Sequence, residues 1–259
     1  MQIEIYNMTV LNDKLNISLE AVCDSFSSLL WDIEYYKCGE FEVYIAASSR
    51  NIEIFQTGRI VGRDDDKDHF GLIESIELET DSEDGDYLII KGRFLMCLLE
   101  RRIIYPTLNF TSQTSYGAIV QKAVESNALT SGNRLIPGLK LGEIQGACWS
   151  QTTKLQVSYE NLMEWVYTIC EKIGGTANIR LSKIADEQYE MIFELLQGTD
   201  RSILQKINPH IIFSDRYNNL LSFTYFTDTS VKRNFAYVLG KGESEQRKRT
   251  TCFTNSEPA

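Results

Sequence analysis

The chain has 259 residues, with 26 Lys and Arg against 36 Asp and Glu, a net charge of −10 and 43% hydrophobic residues. That is enough apolar material for one large domain or two modest ones, and it excludes disorder of the whole chain. The acidic balance argues against duplex-DNA binding, since phosphate affinity comes from clustered Lys and Arg.

In chain order, Leu29 to Tyr36, Phe41 to Ile45 and Arg59 to Arg63 read as strands from their β-branched and aromatic content. Leu72 to Glu79 alternates apolar with polar residues, Asp84-Gly85-Asp86 signals a turn, and Tyr87 to Gly92 returns. Leu72 to Gly92 is thus expected to be a long hairpin. Phe94 to Arg102 reads as a short helix. Tyr116, Ile119, Val120, Ala123 and Val124 fall at helical spacing, with Thr114 or Ser115 as cap. The clearest helix is Tyr159 to about Ile173, with Leu162, Met163, Val166, Ile169, Cys170 and Ile173 as its apolar stripe. Ser158 is its expected cap and Gly174-Gly175 its stop. Ala177 to Leu181 and Tyr189 to Leu195 then form a strand pair, and Ile211-Ile212-Phe213 is a short strand. Leu220 to Phe226 and Asn234 to Leu239 are expected to pair around Asp228-Thr229-Ser230, and Arg247-Lys248-Arg249 to continue an exposed strand or tail. Strands, helices, then strands predict an α+β fold with mainly antiparallel sheets.

The chemistry-bearing residues are sparse. Cys23, Cys38, Cys97, Cys148, Cys170 and Cys252 contain no C-x-x-C pair and read as reduced thiols of a protein folded in cytoplasm. The start, Met1-Gln2-Ile3-Glu4-Ile5, has no secretory pattern, and no window of about 18 apolar residues predicts a membrane span. Neither His69 nor His210 lies in a zinc motif, and neither a nucleophile elbow nor a phosphate loop occurs. Gly240-Lys241-Gly242-Glu243-Ser244 reads as a turn, and no cofactor is expected. Asp64, Asp66 and Asp68 match the first ligands of a calcium loop, but His69 and Ser75 stand where the loop needs Gly and Glu. A solvated turn is the expectation, with a looser cation site left open.

Several ordered segments carry a resemblance: Gly58 to Asp65, His69 to Glu74, Asp84 to Phe94, Leu98 to Ile104, Asp200-Arg201-Ser202, Asn208-Pro209, Phe213-Ser214 and Asn234 to Val238. Together, from about Phe41 to Arg249, they resemble siphovirus-type tail proteins of phages and prophages, similar to baseplate hub proteins of the tail tip. The resemblance implies two small β-barrel-like hub domains with a few short helices. The first would be discontinuous, 1–104 plus 205–259. The second, 105–204, would be more helical. It also implies a homo-trimer forming a ring in the virion tail, next to tail tube, distal tail or spike proteins, and an absence of catalytic residues. No nucleic acid or membrane insertion is expected. Such relatives run further past Gly240-Lys241-Gly242, so a shortened second domain is expected.

Arg59, Arg63, Arg101, Arg102 and Tyr105 are the candidate subunit contacts, with packing inside one chain equally open. Gly58, Gly62 and Gly71 would allow bends, and Arg63 and Arg93 would pair with nearby carboxylates. Two rival readings are a tail-associated cell-wall hydrolase and a receptor-glycan-binding module using Trp31, Trp149 or Trp165.

Overall fold

Alternating side chains give a strand two faces, and both are used in the first half of this chain. In the computed structural model, which describes residues 1–11, 14–81, 85–130, 132–185, 188–220, 222–242 and 247–253, that half forms a seven-stranded sheet. Its strands are β1 (Ile3–Leu11), β2 (Lys14–Cys23), β3 (Ser28–Asp32), β4 (Glu40–Ala46), β5 (Ile60–Arg63), β6 (Asp66–Asp81) and β7 (Gly85–Phe94). Their order is β2-β1-β5-β6-β7-β4-β3, with every neighbour antiparallel. The sheet is open, with β2 and β3 at its edges, and no closed barrel forms among the described residues. The expected hairpin is present as β6 and β7; its tip residue Asp84 lies outside the described residues.

Alternate residues feed two cores. Ile60 and Leu72 point into the larger one, while their neighbours Val61 and Ile73 point into the smaller one with Ile3, Ile5, Phe41 and Val43. Helix α1 (Ser49–Ile54) leads into Phe55 on that smaller side. Gly71 has no side chain because Phe41 occupies the space: a Cβ there would lie 2.3 Å from its ring. Gly58 turns into β5 at φ 87°, where a Cβ is disfavoured, and Gly62 sits at a register shift between β5 and β6.

The larger core is closed by α2 (Cys97–Glu100), β8 (Leu108–Ser115), α3 (Tyr116–Val124), β9 (Leu139–Ile144), β10 (Thr152–Val157), α4 (Leu162–Ile173), β11 (Thr176–Ala185) and β12 (Gln188–Leu196). Ser115 caps α3, its Oγ accepting from the Ala118 amide at 3.3 Å. Helix α4 starts three residues later than the sequence suggested. Tyr159 has φ 60°, which no helix tolerates, so Asn161 is the cap in place of Ser158. Gly174, at φ 75°, ends it as expected. β11 pairs antiparallel with β12, but β12 pairs parallel with β9, a partner the local pattern did not suggest.

The chain divides into two compact units, 1–199 and 200–259. The larger core runs from Tyr6 to Leu195 and takes residues from both sides of position 104, so the expected 104/105 boundary falls inside the first unit. In the second unit, β13 (Phe235–Leu239) pairs with β14 (Arg249–Phe253), register Phe235 to Phe253. The expected partner of β13, Leu220 to Phe226, is not a strand in its described residues, and neither is Ile211 to Phe213. The local alternation there signals strand tendency, but pairing is chosen by the partner. None of the described residues of 200–253 is buried; Leu204 is 89% and Phe226 81% exposed.

Candidate functional site

The tight turn between β5 and β6 gathers the acidic run, and the carboxylates of Asp64, Asp65 and Asp66 find different partners. Asp64 accepts from the Gln2 amide at 2.7 Å. Asp65 takes a two-pronged contact from Arg63, at 2.9 and 2.7 Å. Asp66 accepts from the Asp68 and His69 amides, from the His69 ring at 2.9 Å and from Trp31 Nε1 at 3.0 Å. Burial opposes ionisation of Asp66, but these bonds outweigh it and hold its carboxyl well below the usual carboxylate range. Three oxygens pointing at three partners do not make a cation cage, and no group of three or more metal-type ligands converges among the described residues. Arg63 also lies 5.7 Å from the Trp31 ring centroid, a cation over an aromatic face.

A groove of ≈ 600 Å³ lies between residues 33–39, the start of β6, and the β11–β12 pair. Tyr35 ties its rim: its hydroxyl donates to the Gly174 carbonyl and accepts from the Gly198 amide, and its carbonyl accepts from Thr176 at 2.6 Å. Asn178 donates to the Asp68 carbonyl at 2.6 Å. Two ion pairs and one ring–carboxylate contact lie at the groove, which Asp68 also lines. Arg180 forks onto Glu194, Lys37 meets Glu34 at 3.3 Å, and His69 is turned toward Asp66. Among the described residues the only hydrogen-bond partner of the His69 ring is Asp66, with no hydroxyl or thiol in place for it to activate.

The five contact candidates fall into two places. Arg59 immediately precedes β5 and Arg63 ends it, about 13 Å apart at strand rise. Arg59 donates to the Ile54 carbonyl at the end of α1 and lies 3.9 Å from Glu20. Arg101, Arg102 and Tyr105 share the segment after α2. Arg102 donates to the carbonyls of Arg134 and Leu135, which fastens that segment to the loop before β9. Arg101 makes no side-chain ion pair or hydrogen bond among the described residues and is exposed. The Tyr105 ring is exposed beside Tyr159, which is 70% exposed, and Ile103 is exposed nearby in sequence.

What fastens this patch from behind escaped the sequence. Asn127 is fully buried; its carbonyl oxygen accepts from the Tyr105 amide at 2.8 Å and from Arg134, and its amide donates to Ala123. Arg134 also donates to the carbonyls of Ile103 and Tyr105. A buried Asn in a run of small residues carries no local signature. Arg93 bridges Glu74 and Glu100, as expected of a nearby carboxylate pair. Trp149 and Trp165 are buried, which leaves Trp31 as the partly accessible tryptophan.

The family described as Siphovirus ReqiPepy6 Gp37-like protein matches residues 3–254. No curated protein sequence matches the chain. Among solved structures, the chain is similar to the prophage tail protein gp18 of Listeria monocytogenes EGD-e, with a TM-score of 0.53 and 11% identity over 98% of this chain and 68% of that one. It is also similar to a tail protein of Neisseria meningitidis MC58, with a TM-score of 0.55 and 11% identity over 99% of this chain and 68% of that one. At this identity the likeness is one of fold.

Proposed function

The chain belongs to the family of Siphovirus ReqiPepy6 Gp37-like proteins, a siphovirus tail protein family, and from that premise we propose that it is a non-enzymatic hub or baseplate subunit that assembles as a homo-trimeric ring at the tail tip. The observation that carries the reading is the second unit, whose described residues bury nothing while displaying Leu204, Phe213, Phe226 and Tyr237. Apolar surface on this scale signals a protein partner. The whole-length likeness to two tail proteins supports a partner within a tail: the tail tube, a distal tail protein or a spike protein. The virion tail is its proposed location. Barrel-like hub domains belong to the same reading, and limited proteolysis would map their boundaries. Arg101 and Tyr105 are exposed and suit a contact; Arg102 fastens the backbone between them, and Arg59 and Arg63 belong to a second candidate contact around β5.

Light scattering and native mass measurement test the ring. A trimer mass is the expected result, and a strict monomer at high concentration would overturn it. The hydrolase alternative draws on the His69–Asp66 pair at the groove. Incubation with purified cell wall is expected to release nothing, and turnover lost in His69→Ala would replace this reading with the enzymatic one.

A further inference from the structure

Strand β6 is longer than the strand it pairs with on one side. β5 covers it only as far as Leu72, with Gly58 and Arg59 completing the contact to Ile73, whereas β7 follows it to Asp81. From Ser75 to Thr80 the β5 side of β6 therefore has no neighbouring strand among the described residues. An unpaired strand edge is a template for another strand. Its two faces differ: Ile76 and Leu78 lie on one, with Leu78 59% exposed, and Glu77 and Glu79 on the other.

The chain also contains a strand pair lacking a sheet. β13 and β14 form an isolated two-stranded ribbon, which in water is marginal without further strands or a packing layer. The register puts Phe235, Tyr237 and Leu239 on the same face as Phe253, and all four are exposed. The connection between the two strands holds Lys241, Arg247 and Lys248 against Glu243 and Glu245, a net charge of +1, and those three basic residues are exposed. Charge separates along the sequence in the same sense. Residues 200–259 hold nine Lys and Arg against six Asp and Glu, a net charge of +3, so residues 1–199 carry −13.

We propose that copies of this chain join by strand addition, the β13–β14 ribbon of one copy extending the open β6 edge of the next. The added strands would satisfy the edge amides and carbonyls, the ribbon's apolar face would extend the Ile76 and Leu78 row, and Lys241 and Lys248 would meet Glu77 and Glu79. Such a contact joins two different surfaces, and it builds a ring when the rotation between copies closes and a filament when it does not. The inference rests on the ring reading above and names the contact that makes the ring.

The test compares four full-length proteins by native mass and light scattering: wild type, Glu77→Lys/Glu79→Lys, Lys241→Glu/Lys248→Glu, and all four substitutions together. Each pair alone is expected to weaken assembly by at least about tenfold, because like charges then face each other. The fourfold variant is expected to regain assembly, because the charges are again opposite. Amide exchange read across residues 75–80 in the wild type is expected to slow on assembly. If the wild type assembles and the paired variants assemble equally well, or the fourfold variant fails to recover, or exchange at 75–80 is unchanged, the strand contact is wrong while the ring stands. A wild type that stays monomeric overturns both.

Discussion

Arg180 and Glu194 meet across β11 and β12 in a fork, Nε to Oε2 at 2.8 Å and Nη2 to Oε1 at 2.9 Å. Glu194 is the more buried partner, with its carboxylate inside the groove wall and its main contact the guanidinium. Removing one member therefore costs more than the pair contributes. Arg180→Ala leaves a buried carboxylate and is expected to lower stability by about 1–3 kcal/mol. The double change Arg180→Met/Glu194→Leu is expected to cost less than Arg180→Ala alone. Urea unfolding midpoints of the two variants and the wild type check this.

Asn161 caps α4 with its side-chain oxygen, which accepts from the Met163 and Glu164 amides at 3.0 and 3.2 Å, while its amide donates to the Glu100 carbonyl at 2.6 Å. Asn161→Ala is expected to cost about 1–2 kcal/mol, and Ser158→Ala to stay within about 0.5 kcal/mol. Equal melting temperatures for the two variants would refute the assignment of the cap.

Asn127 is the polar centre behind the Tyr105 segment. Replacing it by Leu leaves the Tyr105 amide without its acceptor and takes one acceptor from Arg134, for an expected loss of about 1–3 kcal/mol. Faster amide exchange at Tyr105, measured by mass spectrometry, would accompany the loss.

Stability is expected to fall in acid partly through Asp66. Its carboxyl is held below the ordinary range when folded, so the unfolded chain takes up the proton more readily. The contribution is complete above about pH 4, the ordinary aspartate value, and drains away as pH falls below it. Asp66→Asn removes that component. A stability profile between neutral and acid pH that keeps the same slope in the variant would show that Asp66 is not its source.

Thiol reactivity separates the six cysteines. Burial pushes Cys38 up to about 11 and both Cys97 and Cys170 up to about 12, which suppresses their thiolates. Cys23 and Cys148 are buried, whereas Cys252 on β14 is exposed. One fast-labelling site, abolished by Cys252→Ser, is expected in the dissociated chain, with all six reacting after denaturation. Fast labelling at Cys97 or Cys170 would contradict the packing of the larger core.

Elements whose signal is local were legible in the amino-acid order alone. The β6–β7 alternation, the α4 stripe with Gly174 at its end, and Ser115 before α3 all follow from side-chain periodicity and capping chemistry within a few residues. Order across the chain, from Gly58 to Val238, was enough to point to the family. The rest was settled by long-range packing. It joined β9 to β12 in parallel, gave β13 the strand 249–253 in place of 220–226, and brought Arg180 to Glu194 and Arg134 to Asn127. These are meetings between distant segments, and several local patterns fit each of them equally well. The choice among them comes from which surfaces bury together and which buried polar atoms find a partner, and that is fixed only once the whole chain has folded.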